Sequence, residues 1–155
     1  MQLPFGIVIN QKDDDMGIVI NKREFLSLGN SGLMRPIIYC NSDKEAVDKA
    51  ISLNIPLAEL LAVIKPRRRA IRMEQCMQQV LKGLPENAVI KEFDVLFNPD
   101  YEIDILRILI AQYKLKQFDV IWPGKYEDGK LIYAEEGYSD YKTYEISKYD
   151  ITCVI

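Results

Sequence analysis

Short apolar runs rich in β-branched residues alternate along this chain with segments of helical periodicity. That alternation narrows the fold more than any other feature. The run Pro36-Ile37-Ile38-Tyr39-Cys40 is continuously apolar behind a proline, which marks a buried strand. Phe118 to Trp122 repeats the pattern and is stopped by Pro123-Gly124. Residues 88–97 read as a further strand and residues 51–55 as a short one. Between these runs lie helices. Ser42 is a suitable N-cap, and Glu45 three residues on completes a capping box. Residues 56–64 predict a short helix with Pro56 at its first position. From Arg69 onward Ile71, Met73, Cys76, Met77, Val80, Leu81 and Leu84 recur at helical spacing, with Gly83 as the C-cap. Residues 100–115 predict an apolar helix carrying Ile103, Leu106, Ile110 and Tyr113.

The two ends differ from this middle. Gly6-Ile7-Val8-Ile9-Asn10 is echoed by Gly17-Ile18-Val19-Ile20-Asn21, and the polar residues between them predict a hairpin. Residues 22–35 carry two glycines and a short helical pattern. The last thirty residues alternate apolar and polar around Asp128-Gly129 and Glu136-Gly137, which predicts β-hairpins. The expectation is one α/β domain over residues 1–155: a mostly parallel sheet flanked by helices, with an antiparallel edge. In such sheets ligands bind beyond the carboxyl ends of the strands.

Composition removes several kinds of chemistry. The 155 residues include no histidine, so the commonest general base and metal ligand is absent. Cys40, Cys76 and Cys153 are widely spaced, match no zinc pattern, and read as reduced thiols. A net charge of −3 gives no global nucleic-acid signal. Asp13-Asp14-Asp15 lacks the EF-hand spacing and reads as a solvated turn. The first residues form no signal peptide, and no apolar run approaches the roughly 20 residues of a membrane span, so a cytoplasmic location is expected.

Residues 87–100, NAVIKEFDVLFNPD, pose the functional question. An apolar strand ending in Asp is how a P-loop nucleotide hydrolase presents its magnesium-holding acid. Lys91 stands at that position, and acids return only at Glu92 and Asp94. The matching phosphate cradle would follow the strand at 36–40. There the chain reads Asn41-Ser42-Asp43-Lys44-Glu45-Ala46. Lys44 stands where a P-loop lysine would, but the glycines are missing and Glu45 replaces the magnesium hydroxyl. Loss of both halves together argues against ATP hydrolysis. Lys44, Glu45, Lys91, Glu92 and Asp94 are read as vestiges of a nucleotide site, with no catalytic residue, metal or cofactor expected.

From residue 51 to residue 155 the chain resembles BrxF, the small P-loop protein family of type 3 bacteriophage-exclusion (BREX) systems. The resemblance is carried by ISLNIPLAELL, PRRRAIRMEQC, VLFNPDYEIDILRILI and WPGKYEDGKLIYAEEGYSDYKTYEI. Residues 1–50 are divergent. The resemblance implies a RecA/AAA-like core and a role in phage defence. It does not carry ATP binding over, because this chain departs from the family at both nucleotide motifs.

Lys65, Arg67, Arg68, Arg69 and Arg72 form the sharpest charge feature and are candidates for contact with a protein partner or nucleic acid. The C-terminal tyrosines alternate with acids, which would repel a phosphate backbone, so they read as half-buried strand residues. The leading expectation is a non-catalytic, P-loop-derived accessory subunit of a defence complex. It would dock on a larger ATPase, methyltransferase or phosphatase-like protein, with DNA contact and homo-oligomerisation both open. The alternatives are an active ATPase that binds ATP and magnesium in a rearranged site, and a small DNA-binding regulator.

Overall fold

The computed structural model of the protein describes residues 17–28 and 35–155. Its principal sheet has six strands: β1 (Ile18–Ile20), β2 (Ile37–Tyr39), β3 (Ile51–Ser52), β4 (Ala88–Lys91), β5 (Phe118–Ile121) and β9 (Thr152–Val154). Every pairing in it is parallel, and the order across the sheet is β1-β9-β2-β5-β4-β3. The helices are α1 (Lys22–Leu28), α2 (Lys44–Lys49), α3 (Asn54–Ala62), α4 (Arg69–Lys82) and α5 (Ile105–Tyr113). A second, antiparallel sheet holds β6 (Lys125–Glu127), β7 (Lys130–Tyr133) and β8 (Lys142–Glu145) in that order. The expected α/β class with a mostly parallel sheet is therefore present.

Alternation along β4 and β5 sorts the two faces of the principal sheet. Ile90, Phe118 and Val120, with Ile38 from β2, are buried in one cluster with Leu57 and Leu61 of α3, Met73 and Met77 of α4, and Leu106 and Leu109 of α5. On the opposite face Tyr39, Val89, Lys91, Asp119 and Ile121 are only half-buried. The helix on that side, α2, has no buried residue.

Several boundaries differ from expectation, each for a local reason. The antiparallel strands make a separate sheet and are not an edge of the parallel one. The last strand, β9, leaves the hairpins and enters the parallel sheet between β1 and β2. Its run Ile151-Thr152-Cys153-Val154 is buried throughout, as a strand covered on both faces must be. The strand expected over 88–97 stops at Lys91. Glu92 turns left-handed at φ 50°, and Asp94–Phe97 is a 3-10 turn. The helix expected from residue 100 starts at Ile105. Glu102 is left-handed at φ 48°, and the Asp104 carboxylate caps α5 by accepting from the Arg107 amide. Asp43, not Ser42, caps α2, and Glu45 pairs with Lys49 instead of closing a capping box. Pro56 is the third residue of α3, not the first. Gly83 does end α4. The Ile18–Ile20 half of the echo is a strand, but it pairs in parallel with β9. The other half, residues 6–10, and the Asp13–Asp15 turn lie outside the described residues. The Asp128-Gly129 turn is as expected. Both residues have positive φ, 48° and 76°, and they close a two-residue loop between the paired Glu127 and Lys130.

Candidate functional site

Adjacent strands whose chains leave in opposite directions open a crevice at their carboxyl ends. β2 and β5 are such a pair. From β2 the chain travels to the far edge strand β3, and from β5 it crosses β2 to reach β9. The loop after β2, residues 40–43, is where a phosphate cradle would have to form.

That loop has filled its own anion position. The Asp43 carboxylate accepts from the Ala46 amide at 2.8 Å, so the first turn of α2 is capped by a negative side chain. Lys44 is 88% exposed and pairs along the helix with Asp48 at 2.7 Å. Glu45 does the same with Lys49 at 2.8 Å. Both point their charge into solvent. Lys91 works at the other end of the helix. Its ammonium donates to the Val47 carbonyl at 2.6 Å, a second donor beside the Ala50 amide, and complements the helix dipole at the last turn of α2. The five nucleotide-motif positions are thus dispersed: Lys44 and Glu45 lie on an exposed helix, Lys91 beneath its C-terminal turn, and Glu92 at an exposed bend.

Asp94 is engaged elsewhere. It accepts from the Tyr133 hydroxyl at 2.8 Å and from the Asn54 side-chain amide at 3.2 Å. Asn54 in turn accepts from the Val95 amide at 3.1 Å, which fixes the turn after β4 to the start of α3. Burial and the bond to Asp94 hold the Tyr133 hydroxyl well above the usual tyrosine range, so it remains a donor. The Tyr133 ring lies flat on Phe97, with centroids 3.7 Å apart and planes within 7°.

The WPG segment belongs to the same construction. Trp122 stands edge-on to Phe97 and Tyr144 at 5.7 and 5.8 Å, and its indole N–H donates to the Ile132 carbonyl at 3.0 Å. Gly124 lies against that carbonyl so closely that a Cβ would sit 1.9 Å from the oxygen. Trp122, Gly124 and Tyr133 therefore lock the antiparallel sheet over the carboxyl ends of β4 and β5. Trp122 and Tyr133 are packing residues, and the acids of this segment, Glu127 and Asp128, are exposed at the β6–β7 turn.

The basic cluster divides in two. Arg69 is structural: its Nε donates to the carbonyls of Leu61 and Ile64 at 2.9 and 3.0 Å, closing the end of α3. Arg72 donates to Gln75. Lys65, Arg67 and Arg68 are exposed and make no ion pair with a described residue. Arg69 and Asp94 also line an open groove of about 690 Å³, with Asn98, Tyr101 and Asp140 around it. Sequence reading missed Asn54 and Tyr133 as partners of Asp94. The separations, 40 and 39 residues, leave no local signal.

A second groove, of about 550 Å³, lies on the thinly covered sheet face between α2 and Tyr39, Val89 and Val154. On that face burial raises the Asp119 carboxyl, against the bond to Tyr39 that lowers it. Burial, with the Asp119 charge adding to it, pushes the Tyr39 hydroxyl up to about 12. The Cys153 thiol is held far above its ordinary range by its interaction with the Cys40 thiol and by burial, which makes it a poor nucleophile. Among the described residues no group of three His, Cys, Asp or Glu could hold a metal ion, and no helix is long and apolar enough to cross a membrane. Comparison with known proteins finds no family model, no curated protein and no solved structure that matches the chain.

Proposed function

We propose that this protein is a non-catalytic subunit of P-loop descent, a divergent relative of the BrxF family that serves a phage-defence assembly through its partners and not through ATP. Support for the descent comes from the residues of the resemblance. It also comes from the strand–turn–helix unit β2–α2 at the centre of a parallel sheet, the unit that carries the phosphate loop in P-loop proteins. The observation that carries the loss of chemistry is the Asp43 carboxylate on the first turn of α2, where a phosphate would have to sit. The outward ion pairs of Lys44 and Glu45 agree with it. An ATPase with a rearranged site would need Lys44, Glu92 and Asp94 to converge, and Asp94 is already bound to Tyr133 and Asn54.

Within the basic cluster Lys65, Arg67 and Arg68, exposed and without an ion pair among the described residues, are the cations that would meet a partner, whether an acidic protein surface of a larger defence component or a phosphate backbone. Calorimetry with Mg-ATP and Mg-GTP, on the wild type and on Lys91→Asp, tests the proposal. No heat from either protein is the expected outcome. Magnesium-dependent binding by the wild type would overturn it. A salt-dependent titration with duplex DNA then separates the two kinds of partner, since phosphate contacts weaken steeply as salt rises.

A further inference from the structure

The open groove of about 690 Å³ beyond the carboxyl end of β4 is lined by charges of both signs that do not meet. Arg69 brings the positive charge. Its Nε is pinned by the carbonyls of Leu61 and Ile64, and its two terminal amino groups have no hydrogen-bond or ion-pair partner among the described residues. Asp94 and Asp140 bring the negative charge. Asp94 is held as firmly as Arg69, by the Tyr133 hydroxyl and the Asn54 side-chain amide. After burial and Asp94, the Asp140 charge also raises the Tyr133 hydroxyl, which places Asp140 close to Asp94. Asp140 is half-buried and makes no ion pair among the described residues. Two anchored groups of opposite charge therefore share one groove and stay beyond ion-pair distance, with donors on one side of the gap and acceptors on the other.

We propose that this groove binds a small zwitterion of the amino-acid class, its carboxylate taken by the terminal amino groups of Arg69 and its ammonium by Asp94 and Asp140. The guanidinium fork suits a carboxylate, and an ammonium has enough donors to meet both acids. Val95, Ala62 and the half-buried Tyr101 supply apolar walls for the body of the ligand. Arg69 and Asp94 are already fixed, so binding orders little. Simpler ions fit worse. A phosphate would gain Arg69 but face two carboxylates, and a bare cation would gain the carboxylates but face Arg69. The inference does not depend on P-loop descent, and a chain that ignores Mg-ATP leaves it standing.

The test is a nuclear magnetic resonance titration of labelled protein with L-leucine, L-phenylalanine, L-glutamine and L-lysine in turn, following the Asn98, Tyr101 and Asp140 amides. At least one should give saturable shifts with a dissociation constant on the order of 0.1–1 mM. The N-acetyl form of that amino acid loses the cation and its amide form loses the anion, and each should bind at least about tenfold more weakly. Asp140→Asn should weaken binding about tenfold. It tests the cation side without touching Arg69, whose Nε closes α3, and circular dichroism checks that the fold is kept. Silence from all four amino acids up to about 20 mM would overturn the proposal. So would equal binding of the N-acetyl or amide form, or indifference to Asp140→Asn. Inorganic phosphate that saturated the same amides as tightly would reduce the groove to a plain anion site and overturn it too.

Discussion

The two faces of the principal sheet are made from alternate residues of the same strands, yet they are built to different depths. One face carries Ile38, Ile90, Phe118 and Val120 under α3, α4 and α5, and continues into the aromatic cluster around Trp122 and Phe97. The other carries Tyr39, Val89, Lys91, Asp119 and Ile121 at half burial, under an α2 that buries nothing. The deep face holds the fold, and Trp122 and Tyr133 pack on it through Phe97. The shallow face holds the positions where nucleotide chemistry would have to occur. There the polar residues are used to secure a short helix: Asp43 at its start and Lys91 at its end. Of the residues that resemble a nucleotide motif in the sequence, Lys91 serves in the folded chain to secure α2, while Asp94 is held by Tyr133 and Asn54.

The contrast can be broken from the deep side first. Phe97→Ala removes a fully buried ring that Trp122 and Tyr133 both contact, and should cost about 3–5 kcal/mol in urea unfolding. Within β4, Ile90→Ala should cost about 2–5 kcal/mol. Its neighbour Val89→Ala, pointing to the shallow face, should cost about 1 kcal/mol or less, since a half-exposed side chain leaves little cavity. Equal losses at the two positions would remove the distinction. Gly124→Ala forces a Cβ against the Ile132 carbonyl and should cost about 1–3 kcal/mol, read as loss of near-ultraviolet signal from Trp122 as the antiparallel sheet shifts.

Lys91→Met keeps the aliphatic stem and removes the second donor to the Val47 carbonyl, which keeps the Ala50 amide, so it should cost about 1 kcal/mol or less. Amide exchange in α2 should rise while α4 stays protected. The smallest expected effect is on pH dependence. Because the folded Asp119 carboxyl is raised, the native state holds its proton more tightly than the unfolded chain does. Stability therefore falls as pH rises from the ordinary carboxylate range through the raised native value. Asp119→Asn should abolish that fall and leave urea midpoints flatter on the alkaline side of the ordinary carboxylate range. An unchanged slope would mean that Asp119 is not the group responsible.

Much of the deep face was legible in the sequence because its signals are local. Gly83 ends α4, Asp128-Gly129 turns β6 into β7, and the apolar runs at 36–40 and 118–122 are strands. The misplacements fell where a distant partner decides. Thr152–Val154 resembles one more hairpin strand until Ile38 and Ile18 are seen on either side of it. The run after Lys91 has strand composition, but Asn54 and Tyr133 hold it as a turn from about forty positions away. Lys91 itself reads as a substituted metal ligand in one dimension and as a helix cap in three. The Arg67–Arg68 surface was legible as charge, whereas the use of Arg69 to close α3 was not.

The central claim is that the first turn of α2 is occupied by the protein's own Asp43. The most direct test is a nuclear magnetic resonance titration of labelled protein with Mg-ATP, following the Ala46 and Val47 amides. These resonances should stay in place up to about 5 mM nucleotide, which corresponds to a binding free energy weaker than about −3 kcal/mol. Saturable, magnesium-dependent shifts at Ala46 would contradict the account, because they would mean that phosphate displaces Asp43 and that the nucleotide site is intact.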